Sequence, residues 1–124
     1  MKATRGTADP GREPTIEVHW PRPDVAVVSL GGEHDLASAG ELGRTLADTT
    51  VTAHHLIIDL SDASFIDSYT MGTLIKAKHD ADAQARHFNV VVGSSSIVAR
   101  ALDIAEVLPM LNRVRTLEEA LAAS

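Results

Sequence analysis

Cysteine is absent from this chain of 124 residues, which excludes disulfides, thiolate metal centres and thiol catalysis. The absence fits a reducing compartment. Aromatic residues are nearly as scarce, with one Trp, one Tyr and two Phe. No apolar run approaches the roughly 20 residues needed to cross a bilayer. The opening MKATRGTADPGREP also lacks the apolar core of a signal peptide, so a soluble, cytoplasmic protein without direct membrane insertion is expected. Positive charge is in deficit: 11 Lys and Arg stand against 17 Asp and Glu, a formal net charge of −6. With no basic cluster and no interleaved aromatics, nucleic acid is not expected as a partner.

What is present is a regular alternation of strand and helix signals. Residues 1–14, rich in Gly, Pro, Thr and charge, predict a flexible N-terminal tail. The remaining 15–124 are the size of one domain. Ile16, Val18 and Trp20 alternate as in a strand, and Val25–Leu30 is a β-branched run suited to a buried one, ended by Gly31-Gly32. Ser38-x-x-Glu41 has the form of a capping box and predicts a helix over 39–49. His54–Leu60 is apolar enough for a central strand, with Ser61–Asp67 expected as a loop. A helix follows from Ser68 to Arg86, with Leu74, Ile75 and Ala81 on its core side. Phe88–Val92 predicts a fourth strand, Ser94–Ser96 a cap for a third helix, and Leu111–Val114 a short fifth strand. Thr116-x-x-Glu119 is a second capping box, opening a last helix. The order β-β-α-β-α-β-α-β-α implies an α/β domain: a mixed four- to five-stranded sheet with about four helices, parallel crossovers, and one antiparallel pair at the start.

Two segments stand apart from this scaffold. One is Gly32-Glu33-His34-Asp35, between the second strand and first helix. The other is DLSDASFIDSYTMG, from Asp59 to Gly72, running from the third strand into the second helix. Together they resemble the STAS domain of bacterial anti-sigma factor antagonists, whose segment reads approximately D-L-S-x-x-x-F-I/M-D-S-S-G-L-G after an earlier G-E-L/I-D element. The resemblance extends over about residues 15–124. This chain departs from it at His34, Tyr69 and Thr70, and keeps the acceptor serine as Ser68.

The resemblance implies a non-enzymatic binding protein that captures an anti-sigma factor and so releases a sigma factor. The implied partners are an anti-sigma serine/threonine kinase of the histidine-kinase-like ATPase fold, which phosphorylates Ser68, and a serine phosphatase that reverses the modification. The expected partner-binding residues are Asp35, Asp67, Ser68, Tyr69, Thr70 and Met71. No cofactor is implied, since ATP and metal chemistry belong to the partners. Local physics agrees. Asp67 or Ser68 could cap the second helix, where unpaired amides and the helix dipole tolerate negative charge. A phosphate adding about −1.5 to −2 charges would then repel a docked partner, with Asp67 and Asp35 nearby, while leaving the fold intact. Tyr69, Thr70 and Met71, in the first turn, are expected to be exposed.

Other chemistry finds less support. A Ser-His-Asp hydrolase lacks a nucleophile elbow and any fixed base. The six histidines show no metal-ligand spacing; His54 and His55, adjacent on a strand, would point to opposite faces. Gly93-Ser94-Ser95-Ser96 lacks the lysine and glycine spacing of a phosphate loop and reads as a cap-rich turn. Two further roles are compatible with a STAS-like chain: a structural subunit of a membrane lipid-transport complex, and a sensor of nucleotides or other small ligands.

Overall fold

The computed structural model describes residues 12–94 and 96–124; residues 1–11 of the expected tail lie outside the described residues. The chain runs β1 (Thr15–Arg22), β2 (Val25–His34), α1 (Leu36–Thr52), β3 (His55–Ile66), α2 (Ser68–Ala83), β4 (His87–Val91), α3 (Ile97–Ile104), a one-turn 3-10 helix (Pro109–Leu111), β5 (Arg113–Val114) and α4 (Leu117–Ala122). The five strands form one sheet in sequence order; β1 is antiparallel to β2 and every later pair is parallel. This is the α/β arrangement expected from the alternation.

The central strands β2, β3 and β4 are apolar on both faces because both faces are covered, whereas β1 is largely exposed. Ala26, Val28 and Leu30 of β2, Leu56, Ile58 and Leu60 of β3, and Phe88 and Val90 of β4 point to one side. They pack there on Leu42 and Leu46 of α1, Leu74, Ala77 and Ala81 of α2, and Val98 and Leu102 of α3. The alternate residues Val25, Val27, Ile57 and Val91 pack on Ala120 of α4.

Three expectations are corrected. First, β2 does not end at Gly31-Gly32, and Ser61–Ile66 is not a loop. Both strands continue as a ribbon, pairing Gly31 with Asp62, Gly32 with Ala63, Glu33 with Phe65 and His34 with Ile66. The glycines mark irregular register rather than a strand end: pairing shifts between Ser29 and Gly31 and again between Gly32 and Glu33. Gly32 has φ +76°, and a side chain there would run into the Glu13 backbone. Arg12–Pro14 lie along this ribbon, with Arg12 O accepting the Glu33 amide at 3.2 Å and the Arg12 guanidinium donating to Asp62 O.

Second, α1 begins at Leu36, ahead of the predicted Ser38 cap. Asp35 is the N-cap, and Ser38 closes the box as its third-residue partner. Third, α2 stops at Ala83, because Ala85 turns left-handed at φ 58° and the Arg86 amide folds back to Ala81 O at 2.8 Å. The caps at Ser96 and Thr116 are as read from the sequence, although the Glu119 carboxylate accepts the Arg115 amide rather than that of Thr116.

Candidate functional site

The parallel ribbon brings the starts of α1 and α2 side by side. His34 pairs with Ile66, so the next residues, Asp35 and Asp67, cap neighbouring helices one step beyond the last strand pair. The Asp67 amide donates to His34 O at 3.2 Å, which ties the two helix starts together.

Asp67 is the cap of α2. Its Oδ1 accepts the Thr70 amide at 2.9 Å and the Thr70 hydroxyl at 3.0 Å. The Ser68 hydroxyl is therefore not spent on capping, and Ser68 is exposed as the first residue of the helix. Tyr69 is 59% exposed. Thr70 corrects the expectation of exposure: it is fully buried, and its hydroxyl is satisfied by the Asp67 carboxylate. It holds the cap in place and presents no surface. Met71 is half-buried and packs against the main core.

Asp35 is exposed, and its Oδ1 accepts the Ala37 amide at 2.9 Å. Behind it lies His34, fully buried. Its Nε2–H donates to Gly31 O at 2.9 Å, leaving Nδ1 to accept from Ser38 Oγ–H at 3.1 Å. Ser38 Oγ in turn accepts the Asp35 amide at 3.3 Å. Burial lowers the His34 pKa from the ordinary imidazole value, opposed by its hydrogen bond to Gly31 and by the charges of Asp35 and Glu41. The departure from an aliphatic residue at position 34 thus supplies a neutral ring whose two nitrogens are both engaged.

Two residues of this surface were not read from the sequence. Leu36, the first residue of α1, is 61% exposed, and Phe65, near the end of β3, is 45% exposed. With Tyr69, 59% exposed, they place three exposed apolar side chains on the elements that meet at Ser68. The signal available was Phe65 inside the motif itself; Leu36 gave none. Among the described residues no three His, Asp or Glu side chains converge as metal ligands, and no helix is long and apolar enough to cross a membrane.

The profile of the STAS domain matches residues 21–120. Among solved structures, an anti-sigma factor antagonist from Mycobacterium paratuberculosis superposes with a TM-score of 0.79 at 25% identity, over 90% of this chain and 93% of that one. The Bacillus cell fate determinant SpoIIAA in its phosphorylated form gives 0.66 at 18% identity, over 88% and 98%. The murine anion transporter Slc26a9 gives 0.68 at 18% identity, over 82% of this chain but 18% of the transporter.

Proposed function

This chain belongs to the STAS domain family, and on that premise we infer that it is an anti-sigma factor antagonist switched by phosphorylation of Ser68. The observation that carries the reading is the division of labour at the start of α2. Asp67 caps the helix, so the Ser68 hydroxyl is left free and exposed. Apolar Leu36, Phe65 and Tyr69 stand on the elements around it.

In the unphosphorylated state these side chains dock an anti-sigma factor kinase of the histidine-kinase-like ATPase fold, and its sigma factor is released. Ser68 Oγ then attacks the γ-phosphorus of the partner's ATP. The bond to the bridging oxygen breaks, ADP leaves, and the hydroxyl proton passes to a base on the partner. The new phosphate carries about −1.5 to −2 charges beside the carboxylates of Asp67 and Asp35. The helix start tolerates that charge in the free domain, whereas a partner packed over it meets repulsion and a desolvation cost. A serine phosphatase restores the binding form. The domain acts in the cytoplasm as a regulator and supplies no catalytic group.

Wild type, Ser68→Ala and Ser68→Asp used as baits in host lysate test this reading. The first two are expected to capture an anti-sigma kinase, and Ser68→Asp to lose it with an unchanged melting temperature. Capture of the same membrane-transport components by all three baits, or of no kinase by any, would overturn it. Phosphorylation of Ser68→Ala to the wild-type extent would overturn the site assignment alone.

A further inference from the structure

A second constellation lies farther along the same edge of the sheet, where β4 and β5 end. Arg100 of α3, Arg113 of β5 and Arg115 just beyond it converge with Ser94 on a cleft of about 180 Å³. Two of these guanidinium groups are held in place. Arg113 donates through Nε to Val92 O at 3.0 Å and through Nη2 to Gly93 O at 3.3 Å. Arg115 donates through Nε to Ser94 Oγ at 2.8 Å. These bonds fix the guanidinium planes without neutralising their charge.

Carboxylates are close but do not neutralise it either. Asp103 lines the cleft, and Glu119 takes the Arg115 backbone amide at 2.9 Å. Among the described residues the ion pairs are Lys76–Asp80 at 3.0 Å and Lys78–Asp82 at 2.6 Å, and neither involves these arginines. A chain of net charge −6 therefore gathers three unpaired arginines in one cleft, against their mutual repulsion. Oriented guanidinium forks of this kind are suited to oxyanions, which they bind through charge-assisted, often bidentate hydrogen bonds.

We propose that this cleft binds a phosphomonoester. Three guanidinium charges less that of Asp103 leave two positive charges, a match for a phosphate of about −1.5 to −2. The cleft is smaller than the roughly 300 Å³ at which drug-sized pockets begin, so it takes the phosphate rather than a whole ligand. The organic part extends past Arg115 into an adjoining cleft of about 300 Å³ lined by Leu60, Ser61, Gly93 and Ser96. The serine-rich turn after β4, insufficient for phosphate binding by its own sequence, acquires its cations from α3 and from β5. The site is independent of Ser68 and of the partner-binding surface.

The test is an amide NMR titration of the full chain with glycerol phosphate and inorganic phosphate. Sodium chloride at matched ionic strength and a hexaglutamate peptide serve as competitors for the assignment. Glycerol phosphate is expected to give saturable shifts at Ser94, Ile97 and Arg113–Thr116, inorganic phosphate weaker ones at the same amides, and chloride none. Arg100→Gln and Arg115→Gln leave the Arg113 carbonyl bonds intact and are each expected to weaken glycerol phosphate about tenfold. Equal shifts with chloride, unchanged affinity in both variants, or tighter binding of the peptide than of glycerol phosphate would overturn the proposal.

Discussion

Two buried histidines sit at opposite ends of the parallel strands, and the ends they serve are built differently. His34, where β2 ends, bonds to Gly31 and Ser38, three and four residues away. His55, where β3 begins, bonds through Nε2 to Asn89 Oδ1 at 2.7 Å and through Nδ1 to Ser124. Those partners are 34 and 69 residues distant. Burial lowers both pKa values; at His55 it is opposed by the Asn89 hydrogen bond and reinforced by the charges of His87, His54 and Arg22. One ring braces a local turn and leaves the surface above it free. The other stitches β3 to β4 and to the end of α4. The same chemistry thus serves the end proposed to dock a partner in one place and a closing clasp in the other.

Acid exposes what the two ends share. Each ring is neutral in the fold, while an unfolded imidazole takes up a proton near pH 6.5. Stability is therefore intact above about pH 6.5 and falls as pH drops through it, with a slope of up to about 1.4 kcal/mol per pH unit for each ring. The decline ends once the folded rings are themselves protonated. Urea unfolding at stepped pH should show two such groups. His34→Leu and His55→Gln should each remove one of them, and a slope unchanged in both variants would refute the assignment.

Affinity separates the ends. Phe65→Ala and Leu36→Ala are each expected to weaken partner capture by about 30-fold, the size of an interface hot spot near 2 kcal/mol. Val51→Ala trims an equally exposed side chain at the far end of α1 and should leave binding unchanged. Titration calorimetry with the captured kinase reads both, and equal losses in all three would dissolve the distinction.

The smallest effect divides the end around Ser68 itself. Asp67→Ala removes a cap and strands the buried Thr70 hydroxyl, at an expected cost of about 2 kcal/mol. Asp35→Ala leaves the exposed Ala37 amide to water while Ser38 keeps its bond to His34, and should cost about 1 kcal/mol. Denaturant midpoints rank the two, and an equal cost would mean that Thr70 gains nothing from Asp67.

What the sequence made legible follows from what each signal depends on. The order of elements rests on local apolar spacing and is found in place; the Asp67-Ser68 pair rests on a contiguous motif, and it falls at the start of α2. The extensions of β2 and β3 were hidden because their many polar residues and paired glycines resemble loop, and their strand pairing depends on each other. Thr70 looked exposed because a threonine in a first helical turn is polar and its spacing gives no sign that its hydroxyl turns back to the Asp67 carboxylate. Leu36 carried no signal, since its exposure is the absence of a neighbour. The arginine cleft was invisible for a related reason: residues 100, 113 and 115 meet only through the pairing of β4 with β5.

The ribbon formed by the far halves of β2 and β3 has an evolutionary consequence. It stands beyond the last β3–β4 pair, Asp59 with Val91, so residues such as Glu33, Asp62 and Phe65 can drift without disturbing the packed layers beneath. Duplicated copies of such a gene could diverge in partner choice at the tip while inheriting one unchanged scaffold. Parallel signalling circuits would then stay insulated from one another by a handful of substitutions, none of which the core has to accommodate.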